Sequence, residues 1–137
     1  MNPNRIPLRT ILIVDDDPLL CRQMVRALCE YHAVVACESA EAARQKLARA
    51  HFDLIISDWN MPGESGTSLL AFVAKTYPAT RRVLMSGVLD PVMPLEQGDT
   101  MLFKPCSSAE IVSAVATILS GREPESALLD RHPFDTH

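Results

Sequence analysis

The chain has 137 residues, which suits one domain and leaves no room for two ordinary ones. Its net charge of −4 and hydrophobic content of 47% describe a globular chain without the basic surface of non-specific nucleic-acid binders. No apolar run reaches the ~18 residues of a membrane-crossing helix, and Met1–Arg5 lacks the apolar core of a signal peptide, so a cytoplasmic protein without membrane insertion is expected.

Residues 1–9, with Pro3 and Pro7, read as a lead-in. Thr10-Ile11-Leu12-Ile13-Val14 is a β-branched run of the kind found in buried strands. It stops at Asp15-Asp16-Asp17-Pro18, where an acid followed by proline predicts a helix start. Leu20, Met24, Leu28 and Tyr31 recur at helical spacing, which predicts a helix to about Tyr31. Ala33–Cys37 reads as a second strand. Ser39 caps a second helix with Ala43, Leu47 and Ala50 on one face and Arg44, Lys46 and Arg49 turned to water.

Asp53–Ser57 is the third strand, whose Leu54-Ile55-Ile56 run suits burial on both faces. Asp58 follows it, and Asn60, Pro62 and Gly63 mark a turn. Asp58 is therefore expected at the rim of the sheet, reachable from solvent. Ser65 caps a third helix carrying Leu69, Leu70, Val73 and Tyr77, and Pro78 ends it. Arg82–Gly87 is a fourth strand, closing on Ser86. Pro91 and Pro94 leave the segment 88–98 with one or two helical turns at most. Met101–Phe103 is a short fifth strand ending at Lys104-Pro105. Ser107 and Glu110 fit a capping box, Ile111, Val115, Ile118 and Leu119 form an apolar stripe, and Gly121 stops this last helix. The domain spans 10–121, and the polar residues 122–137 read as a flexible tail.

Cys21, Cys29, Cys37 and Cys106 form no Cys-x-x-Cys pair and read as reduced packing residues. His32, His51, His132 and His137 are scattered, and none is expected to be a ligand.

Strands alternating with helices predict an α/β fold: a doubly wound, five-stranded parallel sheet with the fourth helix short or missing. Right-handed crossovers bring all strand carboxyl ends to one edge. Asp15, Asp16, Asp58, Ser86 and Lys104 all fall at such ends. Each alone has a plain explanation: a helix-start acid, a turn serine, a solvated lysine. Together they place three carboxylates, a hydroxyl and an ammonium on one edge. Converging carboxylates repel unless a cation shares the site, and an all-oxygen donor set suits Mg²⁺ first and Mn²⁺ second. A cation, an ammonium and a hydroxyl around one carboxylate suit an incoming phosphoryl group, with Asp58 as nucleophile.

In Ile13-Val14-Asp15-Asp16-Asp17-Pro18, Asp58-Trp59-Asn60-Met61-Pro62-Gly63 with Gly66, Met85-Ser86-Gly87 and Phe103-Lys104-Pro105, the chain resembles the receiver domain of two-component response regulators over residues 8–120. The resemblance implies the flavodoxin-like receiver fold. It implies that Asp58 accepts phosphate from a sensor histidine kinase or histidine phosphotransfer protein. It implies that Asp15, Asp16, Asp58 and the Asn60 backbone carbonyl hold Mg²⁺. Ser86 and Lys104 would contact the phosphoryl group, and the Lys104–Pro105 bond resembles one often cis in the family. Two features depart from the family pattern. Met101 stands where an aromatic switch residue is common, with Phe103 on the same face by alternation. The Ser86-to-Lys104 segment is also about one helical turn short.

The expected function is a single-domain response regulator, not an enzyme with separate substrate turnover, that signals to a downstream protein by conformational change. A phosphorelay shuttle passing phosphate onward is the alternative within the family. Outside it stand a Mg²⁺-dependent phosphohydrolase using the Asp15-x-Asp17 spacing, and a degenerate receiver that only binds.

Overall fold

A computed structural model describes residues 8–87 and 98–121. Five strands, β1 (Thr10–Val14), β2 (Ala33–Cys37), β3 (Leu54–Asp58), β4 (Arg81–Gly87) and β5 (Asp99–Lys104), form one sheet in the order β2-β1-β3-β4-β5. All four pairings are parallel. Three described helices join them, α1 (Pro18–Leu28), α2 (Ala40–Arg49) and α3 (Gly66–Thr76), and α4 (Ser108–Leu119) follows β5. The predicted doubly wound sheet is thus observed. The expected short or missing helix falls in 88–97, outside the described residues.

Strand alternation sorts the apolar residues into two layers. Ile11, Ile13, Ile56, Val83 and Met85 face α1 and α4, which contribute Met24, Leu28, Ile111 and Val115. Leu12, Val14, Ile55 and Leu84 face α2 and α3, which contribute Leu47, Leu69, Leu70 and Val73. β1 and β3 run through the middle, so Ile11–Val14 and Leu54–Ile56 are wholly buried. β2 lies on the sheet margin, and Ala33–Ala36 are half-buried for that reason.

The predicted caps are present. Asp17 accepts from the backbone N–H groups of Leu19 and Leu20, and Ser39 and Ser65 cap α2 and α3. Ser107 and Glu110 form the full capping box of α4. Gly121 follows α4 with φ +89°, a left-handed conformation that favours glycine.

Three local expectations are corrected. α1 ends at Leu28, with Cys29 as its cap, so Tyr31 lies in the following turn and stays half exposed. Ala50 leaves the α2 spiral with extended backbone, and Ala40 takes its place on the buried face. Cys29 is exposed and packs into neither core layer, unlike Cys21 and Cys37, which are buried free thiols.

Candidate functional site

Strand order reverses between β1 and β3, and their carboxyl ends flank the crevice where sheets of this order build sites. Register sets the heights of the side chains. Val14 pairs with Ser57, so Asp15, one residue on, is level with Asp58. Asp58 pairs with Met85, and Met85 with Leu102. Lys104 therefore starts two residues above that level and two strands away, roughly 10 Å at the usual strand spacing. Only a long side chain crosses that gap. Its Nζ donates to Asp58 Oδ1 at 2.6 Å and to Asp15 Oδ2 at 3.4 Å. The Lys104–Pro105 peptide bond is cis, as the resemblance implies.

Local structure pins Asp15. The Asp15 backbone N–H donates to the Cys37 carbonyl at 3.1 Å, and Asp15 Oδ1 accepts from the Asp17 N–H at 2.9 Å. The Cys21 thiol donates to the Asp15 carbonyl at 3.2 Å. Burial and the nearby Asp15 charge push that thiol up to about 11, so it stays protonated and remains a donor. The Asp17 carboxylate is committed to capping α1.

Asp58 is less open than expected. It is 8% exposed, with Lys104 Nζ 2.6 Å from its Oδ1. The turn beyond it is held at both ends: Trp59 N–H donates to the Met85 carbonyl at 2.8 Å, and Gly66 N–H to the Trp59 carbonyl at 3.0 Å. At Gly66 the start of α3 touches the strand end. A Cβ there would lie 2.1 Å from the Asp58 carbonyl oxygen. Asn60 is exposed on this turn, and Gly63 adopts φ +83°. Ser86 is buried at the end of β4, one residue beyond Met85, and its Oγ donates to the Gly87 carbonyl at 3.3 Å. Met101 is half-buried and packs against the α2–α3 layer. Phe103 pairs in register with Ser86.

One oxygen from each of Asp15, Asp16 and Asp58 lies within 4.8 Å of the others. Asp15 and Asp58 are buried, while Asp16 is exposed. Burial raises the Asp58 carboxyl above the usual carboxylate range; the Lys104 bond opposes this, and the Asp15 and Asp16 charges add to it. Burial alone would lower the Lys104 ammonium, but the bond to Asp58 and the charges of Asp15 and Asp58 hold it above its ordinary value. One ammonium thus faces three carboxylates, and negative charge is left over. The all-oxygen donor set and that surplus fit a hard divalent cation.

Sequence alone assigns no site role to Arg44 or Glu64, and none to Met61 beyond its place in the Asp58–Gly63 motif. Met61 is buried under the turn. Arg44 reaches from α2 to Glu64 on the turn, with Nε–Oε1 at 2.9 Å and Nη2–Oε2 at 2.6 Å. An arginine and a glutamate twenty positions apart leave no periodic trace.

The chain matches the family model described as the response regulator receiver domain over residues 11–116. It is 38% identical over 121 residues to the response regulator protein FleR of Pseudomonas aeruginosa, covering 85% of this chain and 26% of that one. It is 30% identical to the transcriptional regulatory protein BasR of Escherichia coli, covering 80% and 51%. The chain thus spans about a quarter of FleR and half of BasR. The signal receiver domain of an HD domain-containing protein from Pseudomonas fluorescens superposes with TM-score 0.75 at 28% identity, covering 84% of this chain and 97% of that one. A response regulator receiver protein from Sinorhizobium medicae gives TM-score 0.75 at 26% identity, covering 85% and 98%. With the sheet order, the acidic crevice and the matched span in agreement, this chain belongs to the response regulator receiver domain family of two-component signalling systems.

Proposed function

We propose that Asp58 is the phosphoacceptor of this receiver, taking its phosphoryl group from a phosphohistidine on a sensor histidine kinase or histidine phosphotransfer protein. One observation carries the reading: Lys104 Nζ lies 2.6 Å from Asp58 Oδ1, in a crevice where Asp15 and Asp16 leave negative charge uncompensated. In the step, an Asp58 carboxylate oxygen attacks phosphorus. The P–N bond to histidine breaks, its electron pair returns to the imidazole, and an acyl phosphate forms. Lys104 is positioned to turn from the carboxylate to a phosphoryl oxygen and offset its charge. Ser86, at the end of β4, supplies a hydroxyl to another oxygen.

Mg²⁺, or Mn²⁺ in its place, would be held by Asp15, Asp16, Asp58 and the Asn60 backbone carbonyl. When bound, such a cation supplies charge neutralisation for the phosphoryl oxygens. Asp58 is consumed and regenerated rather than acting on a separate substrate. Residues 10–121 form the signalling unit, with 1–9 and 122–137 outside it. Output passes to a protein partner by a shift between two conformations, without direct nucleic-acid contact. In this reading the chain works in the cytoplasm as a single-domain regulator; the mass of the native product in cell extract tests that point.

Incubation with a labelled phosphotransfer protein tests the acceptor assignment. Wild type takes up label, and Asp58→Asn does not. Stable labelling of Asp58→Asn at the wild-type level would remove Asp58 from the role.

A further inference from the structure

The turn from Trp59 to Ser65 carries Asn60, whose carbonyl completes the proposed cation site. The structure shows how that turn is fastened. Its ends are held by Trp59 N–H to the Met85 carbonyl and Gly66 N–H to the Trp59 carbonyl. Its middle is tied down by Met61, which is 6% exposed, and by Glu64. Glu64 takes the Arg44 guanidinium in a two-pronged pair at 2.9 and 2.6 Å, and Glu64 Oε2 also accepts from the Ser68 hydroxyl at 2.8 Å. Arg44 is itself fixed, because its guanidinium carbon stacks 3.9 Å from the centre of the Phe72 ring on α3. Phe72 in turn meets Tyr77 edge-on. A forked pair held by a ring is more rigid than a surface lysine–carboxylate contact.

From this geometry we infer that Arg44 and Glu64 are positioning residues for the cation site: they clamp the turn so that Asn60 keeps a fixed place two residues beyond Asp58. Neither touches the cation or the phosphoryl group. The inference rests on the cation reading of the preceding subsection. It assigns α2 a share in a site built otherwise from β1, β3, β4 and β5, through a bond that spans twenty residues of sequence. The effect expected is on affinity, because a loosened turn must be ordered again when the cation binds.

The test uses Arg44→Gln, Glu64→Gln, the double variant and Arg44→Lys in the full chain. Trp59, the chain's one tryptophan, follows Asp58 directly, so its fluorescence, checked against isothermal calorimetry, is the probe for Mg²⁺ binding. Each Gln variant should bind Mg²⁺ about tenfold more weakly, at the low end for an outer residue. The double variant should lose no more than either single, since the pair acts as one unit. Arg44→Lys, which keeps the charge and loses the fork, should fall between. Amide hydrogen exchange at 59–64 in chelator should speed up in the Gln variants while the strand amides stay protected. Wild-type Mg²⁺ affinity in both Gln variants would overturn the clamp and leave the cation site standing. A wild-type protein with no Mg²⁺ response would overturn the cation site and the clamp with it.

Discussion

Gly66 is where the position of Asp58 and the stability of the fold meet. A Cβ on residue 66 would lie 2.1 Å from the Asp58 carbonyl oxygen, 2.9 Å from its carbon and 3.0 Å from Leu84 Cδ1. Two of these atoms are backbone at the end of a fully buried strand, so they have nowhere to go. In Gly66→Ala the start of α3 must retreat, and Leu69, Leu70 and Val73 lose part of their packing against β3 and β4. Overpacking of this kind costs about 3 kcal/mol, at the upper end of its usual range. The gain in helix propensity is under ~1 kcal/mol, and smaller still at the first helical position. Gly63→Ala is the matched control. Its φ of +83° strains an alanine, but nothing lies within 4 Å of the new Cβ, so about 1 kcal/mol is expected. Urea denaturation in chelator measures both. Gly66→Ala should also impair phosphoryl acceptance, because the displaced carbonyl belongs to Asp58. A Gly66→Ala loss no larger than that of Gly63→Ala would refute the close-contact argument.

Mg²⁺ should raise the thermal stability of wild type, by ~2.7 kcal/mol at a hundredfold excess over its dissociation constant, and should not do so for Asp58→Asn; scanning calorimetry with and without chelator decides. In chelator, Asp58→Asn should be more stable than wild type at neutral pH. The folded-state carboxyl is raised by burial, then by Asp15 and Asp16, so ionising it costs stability as pH rises through its folded value. The advantage of the Asn variant should therefore shrink as pH falls toward and below the ordinary aspartate range, and an advantage that grows on acidification would contradict the sign. Thr80→Val should cost ~1–3 kcal/mol in urea melts, because the Thr80 hydroxyl donates to the Phe52 carbonyl at 2.7 Å and leaves it unpaired when removed.

The fold was legible because each buried strand is a short apolar run closed by a polar residue, and each helix opens on a capping side chain. Asp15, Asp58, Ser86 and Lys104 could be placed on one edge by counting strand ends alone. Register could not be counted that way. That Lys104 reaches across two strand spacings to bond Asp58 depends on pairings of Asp58 with Met85 and Met85 with Leu102. The early end of α1 was hidden because Tyr31 continues the apolar spacing after the backbone has left the helix. The Arg44–Glu64 pair was hidden for a different reason. Arg44 lies on the face of α2 that spacing turns to water, and its partner lies on a turn with no periodicity at all.

The acceptor assignment is tested most directly by mapping where the phosphoryl group goes. The chain is treated with acetyl phosphate and Mg²⁺, quenched, digested and read by tandem mass spectrometry. One phosphoryl group on the peptide containing Asp58, localised to that residue and lost when Mg²⁺ is chelated, is the predicted result. Phosphoryl groups on any other residue, or on Asp58 to the same extent in excess chelator, would contradict the account.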